Sequence, residues 1–143
     1  MPLTTIKQLL QQARGRIDLL DAELIIAHVL KKNREFVVAH HDREVDKCAS
    51  VQVRKLVKKR AYGTPLAYLV GHKEFFGLDF VVDKNVLVPR PETEILVEEV
   101  IEEMKKSKEQ KIILIDIGTG SGCIPIAILK NLQTCKLAHL QTF

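Results

Sequence analysis

The sequence predicts an α+β chain in three parts: a helical bundle over residues 1–62, a β-hairpin linker over 63–90, and a strand, glycine loop and helix within 91–143. Three observations carry this. Apolar residues recur at helical spacing up to Tyr62. Glycines and aromatics then enter together with two short strand-like runs. Finally, a continuous apolar run from Lys111 to Asp116 leads into Gly118, Gly120 and Gly122, after which helical character resumes at Cys123.

In the first part, Ile6, Leu9, Leu10 and Ala13 share one helix face, with Thr4 or Thr5 as N-cap and Gly15 as the stop. A second helix from about Asp18 to Lys32 carries Leu20, Leu24, Ala27 and His28, widened by Ile25 and Leu30, and Asn33 suits a left-handed exit. A short segment from Arg34 to His40 and a longer one from about Lys47 to Tyr62 complete a bundle with short connections. The run Glu74 to Val82 reads as two strands turning near Gly77. Pro89 and Pro91 exclude a helix before residue 91, while Pro91 at the first helical position, followed by Glu92 and Glu94, is a start signal. That helix reaches about Lys106, with Ile95, Leu96, Val100, Ile101 and Met104 apolar and Glu98, Glu99, Glu102 and Glu103 outward. Ile112 to Ile115 is too short for a helix and has the character of a parallel strand buried on both faces. Pro125 is tolerated in the following helix only because it falls in the first turn.

Composition narrows the function classes. Of 143 residues 46% are hydrophobic and 28% charged, with a mean hydropathy of +0.02, the balance of a soluble globular chain. No apolar run approaches the ~20 residues that span a bilayer, so no membrane partner is expected. There are 22 basic and 18 acidic residues, unevenly placed: 16 and 10 over residues 1–90, then 6 and 8. A basic front half favours an acidic or polyanionic partner. Cys48, Cys123 and Cys135 are odd in number and lack metal-ligand spacing, which argues against a disulfide framework or zinc and for a reducing, cytoplasmic compartment. Lys7, Arg14 and Arg16 precede the first acid, as in a mitochondrial presequence, but the segment has no serine and reads as an ordinary first helix. His28 at an apolar position reads as a core or boundary residue. His40 and His41 lack a third ligand, so no metal is expected.

The chemistry concentrates in the glycine loop. Glycines between a strand and a helix N-terminus let a ligand approach the backbone, and the first helical N–H groups have no intrahelical acceptor. The dinucleotide fingerprint GxGxxG requires a glycine where Cys123 stands, so NAD is disfavoured. With Asp116 two residues before Gly118, the pattern is D-x-G-x-G-x-G, the form found in S-adenosylmethionine-dependent methyltransferases. The alternative is a tight turn with no ligand, although a turn alone needs only one glycine.

Taken in order, Gly63-Thr64-Pro65-Leu66-Ala67-Tyr68-Leu69-Val70-Gly71, Phe75-Phe76-Gly77-Leu78-Asp79-Phe80, Val86-Leu87-Val88-Pro89-Arg90-Pro91-Glu92-Thr93-Glu94 and Asp116 to Gly122 resemble the HemK/PrmC family of peptide chain release factor glutamine methyltransferases. The likeness covers about residues 5–132, and Pro-Arg-Pro-Glu-Thr-Glu is its most specific part. It implies a helical bundle that recognises a release factor, a hairpin linker, and the start of a Rossmann-like class I methyltransferase domain. By matching positions, Gly118, Thr119, Gly120, Ser121 and Gly122 would wrap the methionine portion of S-adenosylmethionine, with Asp116 near its ammonium. Arg90, Pro91, Glu92 and Thr93 would line the same cleft. Read without the family, Arg90 to Glu94 is equally well a capped helix start.

The family's catalytic Asn-Pro-Pro-Tyr is absent, so no catalytic residue is assigned: Asn33, Asn85 and Asn131 are not followed by proline. An amide nitrogen shares its lone pair with the carbonyl and attacks a sulfonium methyl only when acceptors on its N–H groups align it. No Asp or Glu follows Asn131, so the carboxylate expected to hold the ribose is missing too. Weak cofactor binding and no transfer by this chain alone are expected; a truncated or interrupted reading frame, or a deliberately shortened chain, reads this way. A lone strand with two unpaired edges would favour self-association. Arg54, Lys55, Lys58, Lys59 and Arg60 offer a contact for a release factor or RNA, or form a solvated helix face. The alternative function is a non-catalytic release-factor-binding or RNA-binding helical module.

Overall fold

The computed structural model describes residues 4–107 and 112–132, and the chain divides into two units, 1–70 and 71–143. In the first unit, strand β1 (Thr4–Thr5) leads into helix α1 (Ile6–Ala13). Thr5 and Gln8 form a reciprocal capping box, which satisfies two backbone donors that the helix itself leaves unpaired. Helix α2 (Leu19–Leu30) is capped by Asp18, α3 (Arg34–Ala39) by Asn33, and α4 (Lys47–Ala61) by Asp46. Strand β2 (Glu44–Val45) pairs antiparallel with β1, and α5 (Leu66–Val70) closes the unit. Neither the two-residue β1–β2 ladder nor α5 is legible in the sequence, both being too short to show a period.

Helix α2 packs against α1, α3, α4 and α5. It is apolar nearly all round, and such a helix belongs at the centre of a bundle. Its buried residues are Ala22, Glu23, Ile25, Ile26 and Ala27. This corrects the stripe expected through Leu20, Leu24 and His28, since Leu20 is 46% exposed and His28 lies at the surface. Where most positions are apolar the period does not choose a face; the neighbours do. A second correction concerns the exit. Lys31, not Asn33, takes the left-handed conformation, while Asn33 Oδ1 accepts the Phe36 N–H at 3.0 Å to start α3. Glu23 is buried and takes a 2.6 Å hydrogen bond from Arg34 Nε; Asp21 takes one of 2.6 Å from Arg60 Nε. These ion pairs tie α2 to α3 and α4.

The core of this unit runs from Ile6 and Leu9 through Ile25, Ile26 and Val37 to Val53 and Val57, with Leu66 and Leu69 packed against it. The compact unit therefore continues past the change in composition at Gly63.

In the second unit, β3 (His72–Phe75) and β4 (Leu78–Val81) form the expected hairpin, with Phe75 opposite Leu78 and a two-residue turn at Phe76 and Gly77. Both turn residues have positive φ, 53° and 72°, the hand that matches strand twist. Phe75 and Phe80 meet edge to face, with ring centroids 6.2 Å apart. Helix α6 spans Thr93–Lys106 and α7 spans Cys123–Asn131, and the two pack together. Pro91 is not in α6 proper. Thr93 N–H bonds the Arg90 carbonyl and Glu94 N–H that of Pro91, each at 3.0 Å, an i to i−3 turn that precedes the helix. The line α6 buries runs through Val97 and Ile101, whereas Ile95 and Leu96 are 63% and 51% exposed, contrary to the sequence reading. At its end the Lys106 ammonium, hydrogen-bonded by Glu103, titrates above the usual lysine range.

The run read as a parallel strand is the main correction. Residues 112–116 belong to no strand, and Ile113, Ile115 and Ile117 are 74%, 76% and 93% exposed. A parallel strand exists only through a neighbour's N–H and C=O groups, and no neighbour pairs with it among the described residues. The tail and Cys135 lie outside the described residues, as does Lys111.

Two outcomes follow for the first unit. A fragment of residues 1–70 will unfold cooperatively, and shortening it to 1–62 will cost about 1–3 kcal/mol in urea melts, since two partly buried leucines leave the core. Replacing Arg34 by Ala will destabilise by about 1–3 kcal/mol by stranding the Glu23 carboxylate, and adding Glu23→Gln will restore part of that loss.

Candidate functional site

The expected cofactor loop forms a sequence of left-handed turns. Gly118, Gly120 and Gly122 have φ of 77°, 55° and 73°, conformations that other residues adopt only at a cost of roughly 1–2 kcal/mol. Gly122 N–H bonds the Thr119 carbonyl at 2.8 Å, and Gly122 is itself the N-cap of α7 without a side-chain cap. A Cβ on Gly122 would sit 3.3 Å from Ile126 Cδ1, whereas one on Gly118 would meet nothing. The loop thus keeps an open side. Cys123, next in the chain, is a buried free thiol.

Two atoms of this loop stand out. Asp116 Oδ2 and Thr119 Oγ1 are buried, and among the described residues neither has a hydrogen-bond partner. Such groups cost about 1–3 kcal/mol each when unsatisfied, so they mark a place where a donor is missing. A ligand with an ammonium group beside a carboxylate meets that need: the ammonium donates to Asp116, and the Thr119 hydroxyl donates to the carboxylate. The donor set therefore fits the amino-acid end of S-adenosylmethionine.

Arg90, Pro91, Glu92 and Thr93, joined by Leu96, surround an open depression of about 690 Å³. No glycine-loop residue is among those lining it. The same segment carries a contact that sequence reasoning missed. Glu94 Oε1 accepts the backbone N–H of Phe76 at 3.0 Å, and Glu74 Oε1 accepts that of Gly77 at 2.6 Å. Both amides of the hairpin turn are held by carboxylates, and Glu94 binds the turn to the residues that follow Arg90. A helix-start glutamate eighteen positions from a turn leaves no local signal.

Another group missed lies on the first unit. The Phe36 ring stacks on His40 at 4.2 Å, with Lys32 Nζ and Arg43 Cζ at 5.5 and 5.3 Å from its centroid. Its faces are thereby engaged within the protein. Among the described residues no group of three or more His, Cys, Asp or Glu is placed to hold a metal ion, and no helix is long and apolar enough to cross a membrane.

Comparison with known proteins defines the class first: a model of the PrmC N-terminal domain matches residues 3–71, which is the first unit just described. Similarity continues well beyond it. The release factor glutamine methyltransferase of Nitratidesulfovibrio vulgaris is 40% identical over 131 residues, covering 87% of this chain and 43% of that protein. The enzyme of the same name from Rhodopirellula baltica is 44% identical over 120 residues, covering 82% of this chain and 40% of that protein, and that from Coxiella burnetii is 41% identical over 109. Over most of its length the chain is thus similar to release factor glutamine methyltransferases. It spans about two fifths of the length of the curated relatives it matches.

Replacing Glu94 by Ala will release the hairpin turn. Loss of a hydrogen bond to a charged group costs about 1.5–3 kcal/mol, so exchange of the Phe76 amide will speed up by about 10- to 150-fold while amides of α2 are unchanged.

Proposed function

We propose that this chain supplies the factor-binding helical domain and the methionine-binding loop of an S-adenosylmethionine-dependent methyltransferase that modifies the side-chain amide of a glutamine in peptide chain release factors, in the cytoplasm. The observation that carries the reading is the pair of buried, unpartnered oxygens on Asp116 and Thr119, set in a D-x-G-x-G-x-G loop within a chain whose relatives bear that enzyme name. We read residues 112–131 as the first strand, loop and helix of a Rossmann-like domain, whose strand orders only beside partner strands. Until they are supplied, its exposed edge favours self-association.

When bound, S-adenosylmethionine supplies a sulfonium methyl that is open to attack by a nucleophile. Asp116 would hold the ammonium of its methionine portion. Thr119 and the uncapped start of α7 meet its carboxylate, where helix N–H groups favour negative charge. Arg90 and Thr93, which border the open depression, would face the incoming substrate. Alignment of the acceptor amide needs an Asn-Pro-Pro-Tyr element, which these 143 residues do not contain. The non-catalytic reading, a factor-binding module, draws support from the separate core of the first unit.

Calorimetry with the purified chain will detect weak S-adenosylmethionine binding, and Asp116→Asn will reduce its affinity by about tenfold or more, the effect of losing a charge-assisted bond. An unchanged affinity in that variant overturns the assignment of the loop. With labelled S-adenosylmethionine and a release factor, no label will reach the factor. Label on its glutamine would place the whole reaction within this chain and overturn the assignment of transfer to segments it lacks.

A further inference from the structure

Helix α4 carries Arg54, Lys55, Lys58 and Lys59 on its exposed side and contains no Asp or Glu; α1, which packs against it, has none either. Between these two helices lies a depression of about 350 Å³. Leu9, Ala13 and Val57 form its floor, and Gln12, Arg16 and Arg54 stand around it. Arg54 is held in position: its Nε donates to Gln12 Oε1 at 2.9 Å and a terminal nitrogen donates to Thr4 Oγ1 at 3.4 Å. Both acceptors are neutral, so the guanidinium is ordered without its charge being cancelled by either. Arg60 on the same helix is different, because Asp21 neutralises it at 2.6 Å. Asp46, just before α4, is committed to the Ala49 N–H at 2.9 Å. The first unit as a whole has 13 basic and 7 acidic residues.

We propose that this depression docks an acidic protein segment, with an apolar side chain seated on Leu9, Ala13 and Val57 and flanking carboxylates meeting Arg16, Arg54 and Lys58. Arg16 and Arg54 line the depression, and Lys58 follows Arg54 by one turn on the same side of α4, within reach of a segment that extends beyond it. An apolar centre with a charged rim is the ordinary anatomy of a protein interface. Nucleic acid fits less well. Among the described residues no aromatic ring lines the depression for a base to stack on, and a phosphate backbone has nothing apolar to place on the floor. The proposal deepens the release-factor reading by naming the surface, and it rests on that reading for the natural partner alone.

The test measures binding of the full chain, by fluorescence anisotropy, to three probes: a release factor, a synthetic peptide of glutamates around a central leucine, and a short single-stranded RNA. Release factor and peptide will bind, more weakly as salt rises. The pair Arg16→Glu and Lys58→Glu will weaken both by about tenfold or more through like-charge opposition, and leave the melting temperature unchanged because the Arg54 contacts remain. Adding Arg54→Glu will weaken them further, and Lys73→Glu on the hairpin will have no effect. Unchanged binding in the double variant overturns the proposal, as does RNA binding more tightly than both protein probes, or failure of every probe to bind. If the peptide binds and is lost on charge reversal while the release factor does not bind, the docking surface stands and the release-factor reading falls.

Discussion

Every buried backbone N–H and C=O must find a partner, and this requirement sorts the chain into parts that are fixed and a part that is not. Thr5, Asp18, Asn33 and Asp46 each spend a side-chain oxygen on an orphan amide at a helix start. The β1–β2 ladder is only two residues long, yet it closes the gap between the first residues and the loop before α4. The hairpin turn uses carboxylates for the same purpose, Glu94 for Phe76 and Glu74 for Gly77. Residues 112–116 have the composition of a strand and no ladder, and their isoleucines face solvent. Composition proposes a strand; partners make one.

The distribution of charge follows the same logic. Asp21 and Glu23 are drawn onto the central helix, and each is paired with an arginine from another helix, because a largely buried carboxylate left alone would be costly. Asp18 and Asp46 are taken by caps. With so many of the first unit's acids committed to holding the fold, the cations of α4 are left outward with no acid on their own helix. Structural use of carboxylates inside the bundle thus produces the positive surface outside it, and a net charge of only +4 for the chain conceals that separation.

Much of this was legible in the sequence. A cap at Thr4 or Thr5 and a helix start near Asp18 follow from residue type and from the periodic run behind them, and the hairpin follows from glycine, aromatics and alternation between Phe75 and Phe80. Helix extents were less certain where Pro91 suggests a start and the backbone makes a turn first. The buried face of α2 was not readable, because Leu20, Leu24, Ile25 and Ile26 are equally apolar and only tertiary packing separates them. Likewise a glycine turn between Asp116 and α7 was legible from the spacing of the three glycines, all of which have positive φ. That Asp116 Oδ2 and Thr119 Oγ1 would both be buried without a partner was not, since it depends on how the loop folds back over the start of α7.

Those two oxygens also bear on how a ligand would act on the fold. A buried polar atom left without a partner costs about 1–3 kcal/mol, so donors brought to these two oxygens would contribute to binding. A ligand that supplies the donors recovers that cost as binding energy, and by linkage it stabilises the folded form, by about 2.7 kcal/mol at a hundred times its dissociation constant. The left-handed glycines set the direction of the trade. They keep the backbone bare of side chains, and a Cβ at Gly118 would meet nothing, so in the proposed reading a ligand has room to approach there. In the proposed reading, the same loop that makes this region costly when alone is what makes it selective for a ligand carrying both an ammonium and a carboxylate.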